Sequence, residues 1–143
     1  MAIYNQIKPG KTFMGKLKSG GDLLEELTSI CVQNDIRLGR VEAFGAVKKA
    51  KIGFYDQQSR EYNFMEIDKP MEITNLIGNV SMRDGKPMVH AHITASDSLR
   101  NAYGGHLSPG TIVFACEFIM NSYDGPDYVR DYDEQTGLPL WKI

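Results

Sequence analysis

Residues 72–95 read EITNLIGNVSMRDGKPMVHAHITA and predict a β-hairpin. Runs of apolar and β-branched residues flank the dipeptide Asp84-Gly85, which is the strongest hairpin signal in the chain because both residues tolerate the backbone of a two-residue turn. If these two residues form the loop, Arg83 pairs with Lys86. The turn therefore fixes the register of both strands.

Counting outward from the turn places Asn79 opposite His90 and Ile77 opposite His92. Directly opposed residues share one face of a sheet, with Cβ atoms about 4.5–5.5 Å apart. Asn79 is then a candidate to orient the His90 ring through the nitrogen that binds no metal. The alternative is a bulge or strand-end residue, since a slip of one position would reverse its face.

All histidines of the chain lie at positions 90, 92 and 106. His90 and His92 form an H-x-H pair whose side chains point the same way from a strand, and a glycine pair before His106 lets the backbone bring it over them. Three neutral imidazoles leave a fourth position open on a zinc ion. We therefore predict His90, His92 and His106 as zinc ligands; the alternative is a pH-responsive or purely polar cluster.

The composition indicates one globular domain over residues 1–143, with a core at about 12–123 and an irregular C-terminal tail at 124–143. The net charge of −2 offers no electrostatic footprint for nucleic acid. Neither a secretory segment nor an apolar run of membrane length is present, so we expect a cytoplasmic protein. Cys31 and Cys116 are expected to be free thiols.

Periodicity predicts one helix among many strands. Asp22 can cap that helix, and Leu24, Leu27 and Cys31 recur at helical spacing. The predicted strands are Thr12–Lys18, Arg40–Val47, Lys51–Tyr55, Arg60–Ile67, Glu72–Met82, Met88–Ala95 and Thr111–Tyr123, with a short helical turn at Ser98–Tyr103. The fold class is α/β of the α+β kind, an antiparallel-rich mixed sheet packed against one main helix.

Glu117 lies in the apolar run IVFACEFIM, residues 112–120. A buried carboxylate is costly unless a cation, a metal or hydrogen bonds compensate its charge. One interpretation makes Glu117 an acceptor or general base at the histidine cluster. The other pairs it with an arginine or lysine of this chain or of a neighbouring subunit.

The order of motifs resembles the plant and prokaryote conserved (PPC) domain family. The shared segments are RLGRVEAFGAV at 37–47, GFYD at 53–56, MEITNLIGNVS at 71–81, HAHI at 90–93 and YGGHL at 103–107. The tail DEQTGLPLW at 133–141 is similar to that of stand-alone prokaryotic members. The resemblance implies a sheet packed on a helix and a homotrimer.

The same resemblance bears on partners. Prokaryotic members are often labelled DNA-binding, and plant members carry an R-G-R-P minor-groove element and a G-R-F-E-I-L motif. This chain has no R-G-R-P, and only Glu72 and Ile73 match in the second motif. DNA binding would need a basic surface created by trimerisation, for which the candidates are Arg37, Arg40, Lys48, Lys49 and Lys51.

Two functional hypotheses follow. The first is a zinc-binding PPC-domain homotrimer that acts as a binding or regulatory module, with a small-molecule ligand among its partners. The second is a zinc-dependent enzyme, a hydrolase or lyase, in which the ion lowers the pKa of a bound water from 15.7 to about 7. Glu117 would then be the base, with Asn79 and Tyr103 as positioning groups.

Overall fold

The computed structural model describes residues 1–143 and folds them into one helix and a sheet of nine strands. In chain order the elements are β1 (Lys8–Lys16), α1 (Leu23–Gln33), β2 (Gly39–Asp56), β3 (Glu61–Ile67), β4 (Met71–Arg83), β5 (Lys86–Ser96), β6 (Ala102–Leu107), β7 (Ile112–Asp124), β8 (Val129–Tyr132) and β9 (Pro139–Lys142). No helix of the structure is both long enough and apolar enough to cross a membrane.

The predicted hairpin forms between β4 and β5. Asp84 and Gly85 take φ angles of 51° and 74°, which are the positive values that a tight hairpin turn requires. Arg83 pairs with Lys86, and the register continues without a shift to the histidines. The hairpin prediction is confirmed in both position and register.

The sheet is antiparallel apart from one short parallel pairing between β4 and β8. Its order is β1-β7-β2-β6-β5-β4-β8-β9, with β3 paired to β2 and a further pairing between β2 and β4. The long strand β2 pairs with β4 and β7 in its first half and with β3 and β6 in its second. Its pairing with β4 shifts register between Ala43 and Gly45, whose φ of 139° only glycine adopts readily, and it changes partners after Lys49.

Helix α1 covers one face of the sheet. Asp22 accepts hydrogen bonds from the backbone N–H groups of Leu24 and Glu25, at 3.0 and 3.1 Å, and so caps the helix as predicted. Leu23, Leu27 and Cys31 are fully buried against the sheet and join a core of 24 residues. One main helix on an antiparallel-rich sheet is the predicted fold class.

The opposite face of the sheet carries no helix. A row of paired residues crosses it: Met14 faces Ile119, Ile119 faces Glu42, Glu42 faces Ile77, and Ile77 faces His92. Met14 is 77% exposed and Ile77 is 44% exposed. The histidines therefore lie on an open, partly apolar face.

The tail at 124–143 is not irregular, which corrects the prediction made from its prolines and glycines. It contains β8 and β9, which pair with each other from Val129 with Lys142 to Tyr132 with Pro139. The rings of Tyr128 and Trp141 pack at 4.9 Å between centroids. The predicted helical turn at 98–103 is also wrong, because Asp97 caps a tight turn that leads into β6.

Candidate metal centre

Two neighbouring strands bring the three histidines together. His90 and His92 lie on β5, and His106 on β6 is the direct partner of His92. Ring centroids are 5.0 Å apart for His90 and His106, 5.4 Å for His90 and His92, and 5.7 Å for His92 and His106. One ring nitrogen from each residue lies within 4.8 Å of the others.

The second glycine of the pair before His106, Gly105, is required because a side chain would not fit there. A Cβ at Gly105 would lie 2.6 Å from the carbonyl oxygen of Gly53 on β2, which is closer than any side chain allows. Glycine therefore lets β6 fit between β5 and β2, and the ladder positions of His106 against Gly53 and His92 follow.

The donor set fits a zinc ion. His106 Nδ1 is buried and has no hydrogen-bond partner, which is costly for an imidazole nitrogen unless a ligand occupies it. Nitrogen ligands around one zinc ion at about 2.1 Å lie at most about 4.2 Å apart, so small ring rotations would close the set. Three imidazoles are a recurrent protein ligand set for zinc.

Electrostatics keep two of the rings neutral, the form that binds metal. Burial, followed by the positive charge of Arg130 and the neighbouring histidines, lowers the pKa of His90 to about 4. Burial also lowers the pKa of His106, with smaller contributions from His92 and Arg130. At neutral pH these imidazoles therefore need not lose a proton before they bind a metal ion.

Asn79 lies opposite His90 as predicted, but it does not hold the ring directly. Its Oδ1 accepts a 2.8 Å hydrogen bond from Nη2 of Arg130, and that same nitrogen lies 3.3 Å from His90 Nδ1. Asn79 thus reaches the histidine through the guanidinium. This corrects the predicted direct contact.

Two cavities border the cluster, and His90 lines both of them. The larger, of about 620 Å³, includes His90, His92, Asn79 and the aromatic residues Tyr128 and Trp141 in its wall. The smaller, of about 130 Å³, has in its wall Tyr62, His90, His106, Arg130, Leu138 and Leu140. The Tyr62 ring lies 4.9 Å from that of His106. None of the residues lining either cavity is acidic.

Glu117 is not brought to the cluster. It is exposed on β7, between Lys16 of β1 and Phe44 of β2, so the carboxylate is not buried and forms no ion pair within this chain. Three strand spacings separate β7 from β5, which amounts to about 14 Å. The apolar flanking residues face the core, whereas Glu117 points to the open face.

Tyr103 also lies away from the histidines. It packs against the hydrophobic core, and Lys69 Nζ lies 5.5 Å from the centre of its ring. Three positions separate it from His106 along β6, so the two side chains leave opposite faces of the strand. Tyr103 is therefore a packing residue, which corrects the positioning role expected for it.

Arg130 and Tyr62 border the cluster, and sequence reasoning missed both. Arg130 belongs to the segment Tyr128–Tyr132, YVRDY, which contains a β-branched and two aromatic residues of the kind enriched in strands. That composition is a weak signal for β8. Nothing local to Tyr62 indicates its proximity to His106, because long-range strand pairing sets it.

Three of the five candidate DNA-binding residues have an acidic neighbour within this chain. Arg37 forms an ion pair with Asp127, and Arg40 pairs with Glu42 at 2.7 Å. Lys51 lies 3.8 Å from the carboxylate of Glu66. Acidic partners thus neutralise much of this set.

Fold and cluster together define a sheet-rich α+β domain with a candidate metal centre on its open face. The family model of the Plants and Prokaryotes Conserved (PCC) domain matches residues 4–124. The chain belongs to this family, also written PPC, and the predicted resemblance is confirmed.

Solved structures extend the comparison to the whole chain. A metal-containing protein from Archaeoglobus fulgidus is 40% identical, with a TM-score of 0.93 and all of both chains covered. A plant- and prokaryote-conserved (PPC) protein from Pyrococcus horikoshii is 29% identical, also with a TM-score of 0.93, over 99% of this chain and 98% of that one.

A curated relative is of a different size. The bifunctional protein GlmU of a Synechococcus strain is 31% identical over 130 residues, which are 89% of this chain. The chain spans about a fifth of the length of that relative, since the match covers 19% of it.

Proposed function

We propose that this protein binds a zinc ion through His90, His92 and His106 and acts as a binding module for a small ligand at that site. The observation that carries the proposal is the convergence of the three imidazoles, with His106 Nδ1 buried and unpartnered. The similarity to a metal-containing protein of Archaeoglobus fulgidus, at 40% identity over the whole chain, supports it.

Metal analysis of the purified protein tests this assignment. After dialysis against a chelator and reloading, wild-type protein should hold one zinc ion per chain, measured by elemental analysis. Alanine at His90, His92 or His106 should weaken zinc binding by roughly 100-fold or more, because each change removes a direct ligand.

Thr94→Val is the matched control for these variants. Thr94 lies on the same strand and face, two residues beyond His92, and valine keeps its branched shape. This variant should bind zinc like the wild type. Wild-type protein that takes up no zinc, or three alanine variants that all bind it normally, would refute the site.

We propose further that the open face joins copies of this chain in a homotrimer. Met14 and Phe44 are 77% and 57% exposed on that face, and exposed apolar patches often mark interfaces. The family resemblance supplies the number of subunits. Light scattering should give a trimer mass for the wild type and a smaller mass for Phe44→Lys, while Val32→Lys on the outer side of α1 should stay a trimer.

A zinc-dependent enzyme is the second candidate. A cavity of about 620 Å³ beside His90 and His92 favours it, because it is large enough for a small substrate. A zinc ion there would supply Lewis-acid polarisation of a bound group. The chain itself offers Tyr62 and Arg130 at the site and no carboxylate base, which favours binding over hydrolysis.

A further inference from the structure

Arg130 presents a guanidinium group beside the histidine cluster, and its own contacts hold it in place. Its Nε donates to Ser81 Oγ at 2.9 Å, Nη1 donates to the Pro139 carbonyl oxygen at 3.1 Å, and Nη2 donates to Asn79 Oδ1 at 2.8 Å. A guanidinium carries five N–H groups, so two have no oxygen acceptor in the protein. The guanidinium is therefore held in a fixed position and still has N–H groups that can donate to a ligand.

The charge of Arg130 has no counter-ion. Its three oxygen partners are a hydroxyl, an amide and a backbone carbonyl, and no carboxylate forms an ion pair with it. Half-buried charges are usually paired, because removal from water is costly. An unpaired cation in this position points to an anion that comes from outside the chain.

The charge of a bound metal strengthens this requirement. A zinc ion on three neutral imidazoles would carry two positive charges, and Arg130 Nη2 lies 3.3 Å from one of those rings. No acidic residue lines either neighbouring cavity. Charges of one sign at such short range repel strongly in a half-buried site, and an anion between them would relieve that repulsion.

The chamber between Arg130 and His106 limits the size and the class of that anion. Its volume is about 130 Å³, roughly four times the share of one water molecule in the liquid. Leu138, Pro139 and Leu140 make one side apolar, and Arg130 keeps two N–H groups without an oxygen acceptor, one of them on the Nη2 that lies 3.3 Å from His90 Nδ1. A carboxylate with a short apolar chain matches both, because its oxygens accept from the guanidinium and its carbon chain can contact the apolar side.

We infer that this chamber binds the carboxylate of a small organic acid, with Arg130 donating to the carboxylate next to the metal held by the three histidines. The inference rests on the proposed zinc site and names the class of ligand for it. Arg130 is the residue that selects the anion, and the leucines of the tail contact its carbon chain.

The protein carries a built-in reporter for such binding. Trp141 is the sole tryptophan of the chain, and the guanidinium carbon of Arg130 lies 5.4 Å from the centre of its ring. A ligand on Arg130 changes the electrostatic surroundings of that ring, so Trp141 fluorescence should follow binding.

The experiment uses zinc-loaded full-length protein, whose zinc content is measured first on the same sample. Sodium acetate should change Trp141 fluorescence in a saturable way, while acetamide and sodium chloride at the same concentrations should not. Arg130→Gln should weaken acetate binding at least 10-fold with zinc content unchanged. Arg83→Gln, at the exposed rim of the same chamber, should change it by less than about 3-fold.

Each outcome decides one assignment. Wild-type protein without zinc overturns the metal site. Zinc-loaded protein that responds equally to acetate and chloride, or an Arg130→Gln variant with wild-type acetate affinity, overturns the carboxylate site alone. If Arg130→Gln does not fold, phenylglyoxal labelling of the wild type replaces it: acetate should protect Arg130 but not the exposed Arg100, and equal labelling with and without acetate overturns the inference.

Discussion

Asp97 and Arg130 are both charged side chains withdrawn from water, and the fold treats them in opposite ways. Asp97 is buried and accepts hydrogen bonds from Lys69 Nζ at 2.8 Å, from Leu99 N at 2.9 Å, and from the backbone and side chain of Asn101 at 3.0 and 3.4 Å. Arg130 is half-buried and has neutral acceptors alone.

Both pKa values are lowered, but this favours the charged form of Asp97 and disfavours the charged form of Arg130. The hydrogen bond from Lys69, assisted by those from Asn101 and Leu99, lowers the pKa of Asp97 to about 2, so the fold favours the charged carboxylate. Burial and the nearby Arg83 lower the pKa of Arg130, so the fold disfavours its charged form. A charge with all its partners in the chain is structural, whereas a charge without a counter-ion is available to a ligand.

The largest effect should come from Asp97→Asn. An asparagine keeps the shape and an oxygen that can still cap the turn, but it loses the ion pair and turns an N–H group towards the donors of Lys69 and of the Asn101 side chain. We expect the midpoint of thermal unfolding to fall by roughly 5–10 °C, with zinc content and acetate binding unchanged. Calorimetry measures the unfolding midpoint, elemental analysis measures the zinc content, and Trp141 fluorescence measures acetate binding.

Asp68→Asn is the control for this change, because Asp68 is exposed and makes no hydrogen bond or ion pair. Its unfolding midpoint should stay within about 1 °C of the wild type. If Arg130→Gln lowered the midpoint more than Asp97→Asn does, Arg130 would be the structural charge and the contrast would fail.

A smaller effect should appear in the free energy of unfolding at acidic pH. The folded pKa of Asp97, about 2, lies below its ordinary value of 3.8, so the unfolded chain takes up the proton first as the pH falls. The stabilisation by Asp97 is therefore complete above about pH 4 and is lost as the pH approaches 2.

Urea unfolding between pH 2 and 6 measures this contribution as a difference between proteins. The free energy of unfolding of wild type minus that of Asp97→Asn should shrink as the pH falls from 4 to 2. Other carboxylates titrate in both proteins and cancel in the difference. A gap that stays constant over this range would show that the ion pair with Lys69 contributes nothing.

The sequence could predict the hairpin and the histidine register because both follow from local rules. Asp84 and Gly85 fix the turn, and the period of two along a strand then places Asn79 and His90 opposite each other. The helix follows likewise from its cap at Asp22 and its apolar spacing. These elements need no information on how distant segments meet.

Other parts of the site depend on contacts that no local pattern contains. Arg130 reaches His90, 40 residues away in sequence, because β8 lies beside β4, and Trp141 packs on Tyr128 in the same tail. Glu117 was misplaced for a related reason. Its apolar neighbours indicated burial, but alternation along β7 turns them to the core and Glu117 outward.

The smallest expected effect separates a direct from an indirect role for Asn79. Removal of a residue that holds a ligating histidine directly typically lowers metal affinity 10–100-fold. Asn79 instead bonds to Arg130, which lies next to His90, so Asn79→Ala should weaken zinc binding only about 3-fold. Acetate binding should fall by a similar factor, because Arg130 loses one of the acceptors that position it.

Glu117→Gln is the matched control, since it changes a polar residue on the same sheet face three strands away. Zinc and acetate affinity should both stay at wild-type values, measured by competition with a chromophoric chelator and by Trp141 fluorescence. A 100-fold loss of zinc in Asn79→Ala would restore the direct contact predicted from the hairpin register. A loss of acetate binding with zinc affinity unchanged would show that Asn79 acts only by positioning Arg130, because the zinc assay reports on the histidines and the acetate assay reports on the guanidinium.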